Sequence, residues 1–72
     1  MTEKEKIEIM EEIMDVEPGS LHLDDQLKNI EEWDSLSVLS YISKVRDVFH
    51  KTINGTEIKQ METVADAIRA ME

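Results

Sequence analysis

Apolar residues recur near the start of the chain as Ile7, Met10, Ile13 and Met14, the spacing of one helix face. Thr2 and Glu5 stand ahead of them as a T-x-x-E capping box, in which each side chain satisfies a backbone N–H left unpaired at a helix start. The pattern predicts a first helix from Glu3 to Asp15, and Pro18-Gly19 stops any continuation. From Val16 to Trp33 the periodicity fades, yet Leu21, Leu23, Leu27 and Ile30 make the stretch too apolar for a free linker. A packed loop with one turn around Asp24 to Lys28 is expected. Asp34 is a good N-cap for a second helix running to about His50. On that helix Val38, Tyr41, Ile42, Val45, Val48 and Phe49 share one face, with Ser40, Ser43, Lys44 and Asp47 opposite and Leu36 stranded among them. After the Asn54-Gly55 turn, Thr56 to Gln60 gives a short helical piece. Thr63 and Asp66 form a variant capping box for a last helix with Val64, Ile68 and Met71 inside. The fold class is therefore all-α: a small four-helix bundle of three main helices and one short one, with a long loop between helices 1 and 2.

Composition narrows what such a bundle can do. The 72 residues suffice for one domain, residues 1–72, with a small core and no room for an interior enzyme cleft, because a chain this size buries only about 60% of its unfolded surface. The absence of cysteine excludes disulfides, thiolate metal sites and a thiol nucleophile, and agrees with a reducing, cytoplasmic setting. No run of apolar residues approaches membrane-helix length, and MTEKEK lacks the apolar segment of a signal peptide, so no membrane association is expected. A formal net charge of −9 argues against a nucleic-acid partner, whose binding rests on lysine and arginine. That charge is lopsided. Residues 1–34 carry twelve acidic and three basic side chains, whereas residues 35–72 carry five of each. An acidic surface of this kind keeps a small protein soluble, and a monomer is expected.

Catalysis by the bundle itself finds no support. His50 lies about 22 Å along the second helix from Ser35 at 1.5 Å per residue, too far to activate that hydroxyl, and His22 is an isolated loop histidine. An EF-hand loop counted from Asp15 would need glycine at its sixth place and glutamate at its twelfth; Ser20 and Gln26 stand there, so no metal site is read. Ser35 is another matter. It opens the second helix, where unpaired N–H groups and the positive end of the macrodipole favour an attached anion such as a phosphodiester.

Asp34-Ser35-Leu36, opening the second helix of an acidic, cysteine-free chain of this length, resembles the D-S-L motif of the acyl carrier protein family. The likeness extends over the order of elements and to Thr63-Val64 and Ala67-Ile68 in the last helix. It implies that Ser35 receives 4′-phosphopantetheine from coenzyme A through a phosphopantetheinyl transferase, for which Asp34 matters besides capping the helix. The arm's thiol would then carry acyl or aminoacyl groups as thioesters, supplied by a loading ligase and consumed by downstream biosynthetic enzymes. The serine would be a substrate for modification, and the chain not an enzyme.

The neighbours of Ser35 form the expected docking surface. Leu36 projects from the polar side of the helix as a single apolar anchor, with Ser37, Ser40 and Lys44 around it. Fatty-acid synthesis carriers resemble one another in an acidic second helix; here Ser37 and Ser40 occupy common acidic positions, and Lys44 and Arg46 follow. A specialised pathway is therefore as well supported as fatty-acid or polyketide synthesis. Trp33 is expected to anchor the loop on the core, and Met10, Met14, Met61 and Met71 to fill it, although flexible methionines would also let helices part around an acyl chain. The alternative is an unmodified helical interaction module docking through Leu36 and the second helix.

Overall fold

The computed structural model describes residues Met1–Glu72, arranged as α1 (Glu3–Met14), a 3₁₀ turn (Leu27–Asn29), α2 (Ser35–Phe49), α3 (Gly55–Gln60) and α4 (Val64–Arg69). This is a small all-helical bundle with a long loop between α1 and α2. Its boundaries follow from cap chemistry. The Thr2 hydroxyl accepts the Glu5 N–H while the Glu5 carboxylate accepts the Thr2 N–H, and the Thr63–Asp66 pair does the same for α4. Both long helices end on a residue in the left-handed conformation, Asp15 with φ 56° and His50 with φ 55°. The last helix is shorter than its apolar spacing predicts. It closes at Arg69, and Ala70 and Met71 continue as a tightened turn in which the Met71 N–H bonds the Ile68 carbonyl and the Met71 side chain reaches the core, so the bundle has two long helices and two of six residues.

Helix α1 packs against both α2 and α4. The core they enclose joins Met10 and Met14 with Tyr41, Val45, Val64, Ala67 and Ile68, and Leu21, Leu27, Ile53 and Met71 close it from the connecting segments. The face of α2 differs from the expected one at two places. Taking about 100° per residue, the apolar arc is centred on Val45 and Val48 lies at its edge, which leaves that valine exposed; Ser37 falls just beyond the same edge and is buried. Met61 is only half-buried, whereas Met10, Met14 and Met71 are core residues as expected.

The loop between α1 and α2 is held from two sides. Glu11, a buried side chain of α1, accepts the Gly19 N–H at 2.7 Å and the Leu21 N–H at 3.1 Å on one carboxylate oxygen. Gly19 adopts φ +86° here, a conformation that suits only glycine without strain. On the other side Leu27 N–H donates to the Glu62 carbonyl at 2.9 Å, Val64 N–H to the Asp25 carbonyl at 3.0 Å and Ala65 N–H to the Leu23 carbonyl at 3.0 Å. Gln26 and Thr63 thereby form an isolated antiparallel bridge. The expected turn appears slightly later than predicted, at Leu27–Asn29.

Candidate functional site

The segment leading into α2 is positioned by two contacts. Trp33 is half-buried and meets Tyr41 edge-on, with ring centroids 5.7 Å apart and planes at 78°, so it anchors the loop on the core as expected. Asp34 follows in extended conformation, and its carboxylate accepts the Ser37 N–H at 3.0 Å. That backbone hydrogen bond holds the Asp34 carboxyl below the usual aspartate value of 3.8, so the cap is anionic at neutral pH. The next residue, Ser35, is the first of the helix, and the capping bond fixes the direction in which it leaves the surface.

Two serines two residues apart have opposite surroundings. Ser35 is exposed, and its hydroxyl has no protein hydrogen-bond partner. Ser37 is only 7% exposed, and its hydroxyl donates to the Glu32 carbonyl at 2.5 Å. The docking surface drawn from the sequence changes accordingly. Ser37 drops out because its side chain turns inward at the edge of the apolar arc and bonds the loop. Lys44 is half-exposed and directs its ammonium to Glu12 of α1, 3.7 Å away, so it ties two helices together. Leu36 does project, at 75% exposure, and Ser40 is exposed beside it. Sequence reasoning missed Leu39, which is 63% exposed and three residues on, hence adjacent to Leu36 on the outer face. The i, i+3 leucine spacing on the polar side of the wheel was the available signal. His22 and His50 are both exposed, and no group of three or more histidine or acidic side chains is arranged to hold a metal ion.

A hydroxyl free of partners at the start of a fifteen-residue helix can be esterified without breaking any bond of the fold. The first-turn N–H groups left over by the helix favour a phosphate there by about 0.3 to 1 kcal/mol. The residues present thus fit a phosphate-linked group whose bulk extends into solvent. They form a helical bundle with an exposed, unengaged serine at the start of its longest helix. Residues 7–71 match the family of the phosphopantetheine attachment site, and the chain belongs to that family. It is accordingly a carrier protein of covalently attached 4′-phosphopantetheine, working with a phosphopantetheinyl transferase and with biosynthetic enzymes. Comparison with curated proteins and with solved structures finds no match.

Proposed function

We propose that Ser35 is the attachment residue and that this carrier serves a specialised biosynthetic pathway, holding acyl or aminoacyl groups delivered by a loading ligase. The observation that carries the reading is the contrast between the exposed, unengaged Ser35 hydroxyl at the head of α2 and the buried, hydrogen-bonded Ser37 hydroxyl. Asp34 caps the helix, orients Ser35 and offers the transferase a fixed carboxylate. When bound, the prosthetic arm supplies the thiol that this cysteine-free chain lacks. Leu36 and Leu39 form the apolar centre of the partner-docking face, with Ser40 on its rim.

The preference for a specialised pathway rests on charge. Within α2 the only acidic side chain is Asp47, next to Arg46, and Lys44 pairs with α1. Rim charges mainly set association rates and register, so an enzyme that recognises an acidic helix gains little here. The test is intact-mass analysis after incubation with coenzyme A and a broad-specificity transferase, followed by peptide mapping. One phosphopantetheinyl group on Ser35, and none on a Ser35→Ala protein, is the expected result; the group on Ser40 or Ser43 would refute the assignment.

A further inference from the structure

The interior of this bundle is one side chain deep. The shortest extent of the bundle is 19 Å, and the enclosed core comprises eleven buried apolar side chains. Tyr41 fills the middle of that interior with no exposed surface, and its hydroxyl donates to the Ala67 carbonyl at 2.7 Å. Ala67 lies in the last turn of α4, where carbonyls have no intrahelical partner, and the neighbouring Met71 N–H bonds to Ile68 instead. The phenol therefore supplies what α4 itself cannot, and it ties α2 to α4 through the core. No buried polar side-chain atom is left without a partner in this arrangement. The three surface depressions offer no alternative berth. The largest, about 660 Å³ between the loop and the segment before α2, is walled by Asp15, Glu17, Asp25, Glu31 and Glu32; the second is lined mainly by polar or charged residues, and the third, about 310 Å³ and mostly apolar in surface, lies between the start of α1 and Pro18-Gly19 with no residue of α2 in its wall.

Helix α3 has no fully buried residue and meets the core through the partly buried Ile58, which makes it the most lightly packed of the four helices. An aliphatic chain entering beneath it would meet the Tyr41 ring, and Glu57 of α3 lies near enough for its charge to act on the Tyr41 hydroxyl. Displacing Tyr41 would strand a buried hydroxyl and a buried carbonyl together, which is costly in a low-dielectric interior. We propose that Tyr41 closes the core to cargo, so that the arm on Ser35 presents its acyl group in solvent and the cargo is short or polar, an aminoacyl group rather than a long aliphatic one. This rests on the attachment reading above.

The test uses the intact chain loaded chemoenzymatically with acetyl, alanyl, hexanoyl or octanoyl pantetheine arms. Thioester hydrolysis at neutral pH, emission of Trp33 and the melting temperature are followed for each. The sole tryptophan touches Tyr41, so its emission reports any insertion. Octanoyl and hexanoyl carriers are expected to hydrolyse within twofold of the matching free pantetheine thioesters, with Trp33 emission and melting temperature unchanged along the series. Protection of the octanoyl thioester by fivefold or more, with a raised melting temperature, would overturn the proposal. A Tyr41→Leu carrier, lacking ring and hydroxyl, is expected to gain octanoyl protection that the parent lacks; if it does not fold, the chain-length series on the parent still decides. Failure of the arm to attach at Ser35 would strike the attachment reading instead, and is seen separately by mass before any cargo is loaded.

Discussion

Substituting Glu11 probes the support beneath the loop that leads to Ser35. Its side chain is 3% exposed, and a single carboxylate oxygen accepts both the Gly19 and Leu21 N–H groups. In Glu11→Ala the two donors differ in fate. Gly19 is exposed and can turn its N–H to water, but Leu21 is buried and cannot. An orphaned buried donor costs about 1 to 3 kcal/mol, and loss of the charge-assisted bond to Gly19 adds about 1, for a total of roughly 2 to 4 kcal/mol. For a domain of this size that lowers the melting temperature by roughly 8 to 32 °C, at about 4 to 8 °C per kcal/mol. Glu11→Gln keeps an amide oxygen able to accept both donors, so only the charge-assisted share is lost, about 1 kcal/mol. Urea and thermal unfolding followed by circular dichroism measure the ranking, and hydrogen exchange at Leu21 reports its N–H directly. A Glu11→Ala protein melting within about 2 °C of the parent, against the scale just given, would show that the loop stands without this carboxylate. A glutamine variant less stable than the alanine variant would refute the bonding scheme itself.

Ser37→Ala removes the bond to the Glu32 carbonyl, which can be rehydrated at an exposed residue, so unfolding experiments should register about 0.5 to 1.5 kcal/mol while mass analysis still finds full modification at Ser35. Leu36→Ala with Leu39→Ala should leave the melting temperature within about 2 °C, since both side chains are exposed, yet slow loading by the native ligase about tenfold or more in kcat/KM; unchanged loading would exclude these leucines as the docking centre. Acid should destabilise the fold through its caps. Asp34 and Asp66 are held below 3.8 chiefly by the backbone N–H groups of Ser37 and Glu62, and Glu5 and Glu72 below 4.5 by Thr2 and Lys6, so each binds fewer protons folded than unfolded. Their contribution is complete above about pH 5 and is lost as pH falls through 4.5 and 3.8 towards the lower folded values; melts across pH 3 to 6 measure this, and a melting temperature rising below pH 4 would contradict it.

Helix ends were legible because caps are local. Thr2, Asp34 and Thr63 each bond an N–H three residues away, a relation that spacing alone exposes. The exposed Leu36 was legible from the helical wheel, and so was Ser35 as the opening residue of α2. The long loop was not, because its order comes from partners far along the chain: Glu11 behind it and Glu62 to Ala65 ahead of it. No periodicity in Val16 to Trp33 encodes those bonds. Ser37 was misjudged for a different reason. Its polarity suggested the outer face, while its angle placed it at the rim of the core, where a hydroxyl can bond the Glu32 carbonyl. The Lys44 ammonium lies 3.7 Å from Glu12 on a neighbouring helix, a pairing that spacing along α2 alone does not reveal.

The bridge between Gln26 and Thr63 joins positions half the chain apart. Closing so long a loop costs chain entropy before any of its bonds is formed, so these contacts arrive late in folding. The hydrogen bonds and cap of α1 lie within its own sequence, but the run from Leu23 to Leu27 must wait for the strand-like partner supplied by Glu62 to Ala65. A chain emerging from the ribosome would thus expose Ser35 well before the ground leading up to it is set. The surface around Ser35 is therefore fully shaped only once Glu62 to Ala65 have joined it.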